Sequence, residues 1–290
     1  STARYPFPRS MPYPYGIAST RVPDAANKVQ RQFHLWDSAL FQERDGQAAI
    51  TRSSSPTSPR SFVSSELAYG MLIMVYMDNQ ENDTRGKFDK LLASYDHWLD
   101  SNGLMNWWVE WGVNTPTRVL PDTINGRFAA TDADMDAAMA LLLAYKQWGD
   151  NRYLVRAKDL IGRIWKYEVD SAKTLKPGDD WNPYKNPSYL NFAALRLFAE
   201  VDTNDWKTVA DNSWRMLRAN TSPPHSVSRL PSDWCAPDGT PVAGKRNGVG
   251  FNYDAIRVPL RTGLAWSWFG DTAAHGVDSN IAAFALSPSY

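Results

Sequence analysis

The chain has 290 residues, and its 31 basic and 31 acidic side chains cancel to zero formal charge. That balance offers no long-range attraction to nucleic acid or to an anionic membrane surface. No apolar run approaches the roughly 18 residues needed to span a bilayer, and no basic segment followed by an apolar one opens the chain. A signal peptide is therefore expected to be already absent. Cys235 is the only cysteine, so an internal disulfide is impossible, and an inert buried thiol is its expected state. The four histidines, at 34, 97, 225 and 275, have no metal-ligand spacing, so neither a metal nor a cofactor is expected.

In chain order, apolar residues recur at helical spacing. Val29, Phe33, Trp36 and Leu40 form the first stripe. Phe88, Leu91, Leu92, Tyr95, Trp98 and Leu99 form the next. Met135, Ala138, Met139, Leu142 and Tyr145 follow, then Leu154, Ala157, Leu160, Ile161, Ile164 and Trp165. Two more stripes are Phe192, Leu195 and Phe198, and Val209, Ala210, Ser213 and Leu217. The segment 254–269 is apolar on most sides and predicts a buried helix. Strand signals are few, the best being 48–52 and 105–109. Loops rich in Pro, Gly, Asn and Asp cover 114–127, 176–187 and 222–250, lengths that usually carry function. No repeat or linker divides the chain, so one all-α domain over 1–290, built of antiparallel helix pairs, is expected.

Three segments concentrate chemistry. Ser64 is a plausible N-cap that would place Glu66 in the first turn of an apolar helix. There Glu66 would complement the helix dipole, or, if partly desolvated, act as a general acid. Asp132, Asp134 and Asp136 crowd one helix start, with Thr131 as expected N-cap and Asp134 completing a capping box. Three acids exceed what a cap needs, and a site that binds sugar hydroxyls is the sharper account of Asp132. Asp254 and Arg257, three residues apart in an apolar segment, would form a buried ion pair. The 13 tryptophans exceed an ordinary core's need, and flat indoles suit the apolar faces of pyranose rings.

Together these segments resemble glycoside hydrolase family 8, which contains bacterial endoglucanases, xylanases, chitosanases and lichenases. The likeness runs through Tyr13-Pro14-Tyr15-Gly16-Ile17, Ser65-Glu66 with Tyr69-Gly70-Met71-Leu72, and Ala130-Thr131-Asp132-Ala133-Asp134 leading to Lys146-Gln147-Trp148-Gly149. Asn186-Pro187-Ser188-Tyr189, Leu230-Pro231-Ser232-Asp233-Trp234 and Tyr253-Asp254-Ala255-Ile256-Arg257 complete it.

The resemblance implies an (α/α)6 barrel and an inverting, endo-acting hydrolase of β-1,4-linked polysaccharide, with β-glucan the first expectation and xylan the second. It implies Glu66 as general acid, Asp254 as general base, Asp132 holding the sugar at subsite −1, and Tyr189 positioning the attacking water. Trp107 and Trp181 fall near the family's stacking platforms. Arg257 and Asp134 join the substrate-binding set. Chitosanases of the family place their base elsewhere, so Asp254 argues against chitosan. Inversion requires the two carboxyls to stand roughly 6.5–9.5 Å apart. Only 36 residues follow Asp254 (290 − 254), fewer than the family usually has, so either a barrel incomplete at its C-terminal end or one closed differently is expected. A secreted monomer acting on polysaccharide is the expected setting. The rival is a non-catalytic carbohydrate-binding protein on the same scaffold, against which the joint presence of Glu66, Asp132 and Asp254 argues.

Overall fold

A computed structural model describes residues 2–9, 23–52, 60–243 and 249–287. The motif at 13–17 lies outside them. Nine α-helices and nine short strands are found among the described residues. They divide into two compact units, one up to residue 164 and the other from residue 165, so the boundary falls within a helix of the chain expected to be one domain.

In the first unit, α1 (Ala25–Leu40) leads into the hairpin β1 (Phe41–Arg44) and β2 (Gln47–Ile50). Of the α1 stripe Phe33 is buried, Trp36 and Leu40 are half-buried, and Val29 is exposed. Strand β3 (Arg60–Val63) runs directly into α2 (Ser64–Met77), which is followed by α3 (Arg85–His97). β4 (Trp108–Trp111) pairs antiparallel with β3, and β7 (Thr123–Gly126) pairs antiparallel with β4. Between them lies a minimal hairpin, β5 (Asn114–Thr115) with β6 (Arg118–Val119). The two strands foreseen in this unit are thus present, the second shifted to Trp108–Trp111.

The core of the unit is α2 laid along α4 (Thr131–Trp148). The α2 sequence SSELAYGMLIMVYM is apolar on nearly every side, as a helix buried all round must be. On α4 the alanines 133, 137, 138, 140 and 144 are buried to about the last atom, and such small side chains let two helices approach closely. Leu67, Met71 and Met74 of α2 are fully buried, and cutting one back to Ala would cost about 2–5 kcal/mol. Helix α4 stops at Gly149, whose φ of 69° is left-handed and whose N–H donates to the Tyr145 carbonyl at 2.8 Å.

Helix α5 (Asn151–Glu168) carries the division. In the second unit α6 (Phe192–Val201) packs on α7 (Trp206–Asn220), and α8 (Val258–Phe269) packs on α9 (Thr272–Ala285) and on α6. A two-strand hairpin, β8 (Trp234–Cys235) with β9 (Pro241–Val242), sits between these pairs in sequence. Cys235 is buried, and burial pushes its thiol up to about 12, the inert state expected of it.

The segment 254–269 differs from the buried helix expected of it. It begins as a 3-10 turn, Ala255–Arg257, and continues as α8, of which only Val258, Arg261, Thr262 and Ala265 are buried. Ile256 and Leu260 are exposed. Helix α9 escaped the stripe count because its apolar residues are mostly alanines, and Gly276 interrupts them.

Candidate active site

The groups expected to carry chemistry fall in both units, and each unit builds its own set. In the first, β3 ends at Val63 and α2 begins at the next residue. Val63, not Ser64, is therefore the N-cap, with the extended backbone (φ −112°, ψ 157°) that a cap adopts. Glu66 then occupies the third helical position. Its Oε2 accepts from the Val63 backbone N–H at 2.9 Å, the acidic half of a capping box. Its Oε1 accepts from Arg52 Nε at 2.6 Å, and the Glu66 side chain keeps 27% of its surface exposed. The carboxylate is thus anchored through one oxygen and presented through the other. Arg52 lies 14 residues upstream, and no sequence spacing pointed to it.

Trp107 stands beside this helix start. Its carbonyl accepts from the Ser64 N–H at 2.9 Å, and its own N–H donates to the Phe128 carbonyl at 2.9 Å. The indole rests against Gly126, where an added Cβ would lie 2.3 Å from Trp107 Cε2, so a larger residue there would have to displace the ring. Trp107 is still 42% exposed, as a stacking platform would have to be.

At the start of α4 the N-cap is Ala130, not Thr131, and alanine has no side chain that could cap. Asp132, Asp134 and Asp136 are all buried, which is more than dipole compensation asks of acids in a first turn. Asp134 is fully buried and accepts a hydrogen bond from the Tyr95 hydroxyl of α3. Asp132 retains 2% exposure.

In the second unit Asp254 caps the 3-10 turn. Arg257 Nη2 donates to its Oδ1 at 2.9 Å, and Asn186 Nδ2 to its Oδ2 at 3.3 Å. Burial pushes the Asp254 carboxyl above its ordinary value; the Arg257 charge opposes this and the nearby Asp233 carboxylate reinforces it. The ion pair expected from sequence is present and half-buried rather than fully buried, its side chains 23% and 21% exposed.

The turn itself hangs on Asp233, whose Oδ1 accepts from the backbone N–H groups of Asn252, Asp254 and Ala255 at 3.1, 3.1 and 2.7 Å. Asn186 Oδ1 likewise holds the Pro187–Tyr189 turn through Ser188 N–H and Oγ, at 3.0 and 2.7 Å. Tyr189 ends that turn, and the Arg257 guanidinium lies 5.5 Å from its ring centre. Arg257 thereby links Asp254 to Tyr189. Trp181 is 37% exposed and meets Trp234 edge-on at 5.1 Å, and Tyr189 meets the same indole at 6.1 Å. Trp181, Trp234 and Tyr189 are thus joined by successive ring contacts, and Arg257 joins Tyr189 to Asp254.

The structure therefore groups Asp254, Arg257, Tyr189 and Trp181 in one unit, and Glu66 and Trp107 at one helix mouth in the other. Asp233 and Asn186, which hold Asp254 and its turn, lay inside motifs visible in the sequence without a role being assigned to them. Their acceptor and donor geometry depends on turns that spacing does not encode. Among the described residues no group of three or more His, Cys, Asp and Glu side chains is placed to hold a metal ion.

Comparison with known proteins gives these groups a context. Endoglucanase 2 of Ruminiclostridium josui is 34% identical over 279 residues, covering 93% of this chain and 57% of that protein. Endoglucanase A of Acetivibrio thermocellus is 31% identical, over 94% of this chain and 56% of that protein. The chain thus spans a little over half the length of these curated relatives. The apo structure of a β-1,3-1,4-glucanase from Paenibacillus sp. X4 superimposes with a TM-score of 0.83 at 26% identity, covering 97% of this chain and 77% of that one. A cold-adapted family 8 xylanase superimposes with a TM-score of 0.73 at 20% identity, over 90% and 70% of the two chains. The fold is that of these proteins, all-α and of the (α/α)6 class. The family model for Glycosyl hydrolases family 8 matches residues 6–286, and with nearly the whole length matched, the chain belongs to glycoside hydrolase family 8.

Proposed function

We propose that the chain hydrolyses a β-1,4-linked polysaccharide within the chain, with inversion at the anomeric carbon. The observation that carries the reading is Asp254. It is a carboxylate kept partly out of water, with its acidity weakened by burial, held by Arg257 and Asn186, and linked through Arg257 to Tyr189. A base of raised pKa takes a proton from water more readily, provided it is ionised at the working pH. Asp254 accepts that proton while the water oxygen bonds to the anomeric carbon, and the Tyr189 hydroxyl gives the water its second partner. Glu66, protonated on the oxygen now paired with Arg52, gives its proton to the departing glycosidic oxygen. Arg52 is half exposed and can swing aside for that step. Proton exchange with solvent then resets both carboxyls. Asp132 is assigned to the sugar at the cleavage point, and Trp107 and Trp181 to stacking on sugars further along. Asp134, being fully buried, is assigned to bracing α4 against Tyr95.

The backbone sugar is proposed as β-glucan first and xylan second, which the names of the relatives support. A polymer of this kind does not enter cells, so the site of action is outside the cytoplasm, and among the described residues no helix is long and apolar enough to cross a membrane. The chain is proposed to act as a monomer. A reducing-sugar assay over carboxymethylcellulose, lichenan, xylan and chitosan tests the reading, with Glu66→Gln as control. Activity on the first two, lost by about 100-fold or more in Glu66→Gln with binding kept, is the expected result. Equal rates in the two proteins would remove Glu66 from the mechanism.

A further inference from the structure

Phe128 is an unexpected residue for its position. Among the described non-glycine residues with positive φ, the others are Asp24, Asp45, Asp83, Lys173 and Arg229, polar or flexible side chains at turns. Phe128 is the aromatic one, at φ 70°. A bulky side chain in the left-handed region strains the backbone, and such strain persists only where the surroundings enforce it. Here they do. The Phe128 N–H donates to Asn106 Oδ1 at 3.0 Å, and its carbonyl accepts from the Trp107 N–H at 2.9 Å. Asn106 is itself locked, 4% exposed, with Nδ2 donating to the Trp98 carbonyl at 2.9 Å.

The strain does not serve the core, because Phe128 is 41% exposed. Its neighbour across the backbone hydrogen bond is Trp107, 42% exposed. One buried side chain, Asn106, thus fixes two exposed aromatics, one at the next residue and one through its amide oxygen. A glycine at 128 would take the same backbone without strain. Retaining a phenyl ring there makes sense where the ring has a ligand.

We propose that Phe128 is a sugar-stacking residue that extends the Trp107 platform by one pyranose contact, for a β-linked chain long enough to reach both rings. The proposal rests on the carbohydrate-binding part of the function given above, not on the hydrolytic step. The apolar C–H face of an equatorially linked pyranose is flat and matches a phenyl ring as it matches an indole, and covering the ring removes apolar surface from water.

The test is calorimetric titration of cellohexaose, then xylohexaose, into the whole chain carrying Glu66→Gln to prevent turnover, with and without Phe128→Gly and Phe128→Tyr. Glucose, with a single pyranose, serves as reference. Phe128→Gly should weaken hexasaccharide binding about 5- to 10-fold and leave the glucose affinity within about twofold, while melting within about 3 °C of its parent. Phe128→Tyr, which keeps a ring, should bind as the parent does. Unchanged hexasaccharide affinity in Phe128→Gly overturns the proposal. Failure of Phe128→Gly to fold overturns it as well, because the ring would then be a packing residue. If the wild-type chain binds the hexasaccharide through Phe128 but cleaves nothing, the hydrolytic reading fails and this one stands. If it cleaves polysaccharide and Phe128→Gly binds as its parent does, the outcome is reversed. A parent that binds neither hexasaccharide sinks both.

Discussion

Removing the Asp233 carboxylate should loosen the turn that holds Asp254, and the size of the effect follows from its contacts. One oxygen accepts three backbone N–H groups at 3.1, 3.1 and 2.7 Å. A hydrogen bond to a charged group contributes about 1.5–3 kcal/mol, which bounds three at about 4–9 kcal/mol. Two of the three are longer than the about 2.7–2.9 Å typical of charge-assisted bonds. Asn252 is also exposed, so water can replace part of its loss, whereas Ala255 is fully buried. Asp233→Ala should therefore cost about 3–4 kcal/mol and lower the melting temperature by about 10 °C. Asp233→Asn keeps an acceptor oxygen and loses the charge, so about half of that loss is expected. It also removes a negative charge that holds the Asp254 pKa up, so the acidic limb of the activity profile should move to lower pH. Tryptophan-fluorescence melting and a pH–rate profile read the two effects. An Asp233→Ala protein that melts within about 2 °C of wild type would refute the reasoning, as would an Asp233→Asn limb displaced to higher pH.

Other expectations follow from the same structure. Trp107→Ala and Trp181→Ala should raise KM on long substrates and cost well under the about 3–5 kcal/mol of a core Trp, because both side chains are more than a third exposed. A large fall in melting temperature would instead mark them as packing residues. For Asp170, burial pushes the carboxyl up, but hydrogen bonds from Lys185 and Thr174 overrule it and hold the pKa at about 2. A depressed carboxyl adds stability above its unfolded pKa, so about 2 kcal/mol should be present above pH ~4 and be lost as pH falls toward ~2. Denaturant melts across that window should show the gap between wild type and Asp170→Asn closing with acid. A constant gap would exclude the pair from acid unfolding.

How far the sequence carried differs by element. Stripes over 88–99 (as far as His97), 135–145, 154–165, 192–198 and 209–217 became helices because tertiary burial agreed with their periodicity. The stripe at 29–40 also became a helix, yet apart from Phe33 its residues are not buried, since spacing reports which face is apolar and not whether anything covers it. Over 254–269 the apolar content was real, but the 3-10 start turns Ile256 outward and Leu260 is exposed. Both N-caps were misplaced by one residue, because the cap is decided by where the preceding strand or loop stops being extended, as at Val63 and Ala130. The acids themselves were legible as unusual residue types in apolar surroundings. Their supports were not, because Asp233 and Asp254 are 21 residues apart and Arg52 and Glu66 are 14 apart.

The central claim, that Asp254 activates water for single displacement, is tested most directly by the configuration of the first product. Proton NMR of oligosaccharide cleavage, read before mutarotation equilibrates the anomers, should show the new reducing end as the α-anomer from a β-linked substrate. Tyr189→Phe should slow that reaction with less effect on binding. A reducing end released first as the β-anomer would mean double displacement through a covalent intermediate and would contradict the assignment of Asp254 as base.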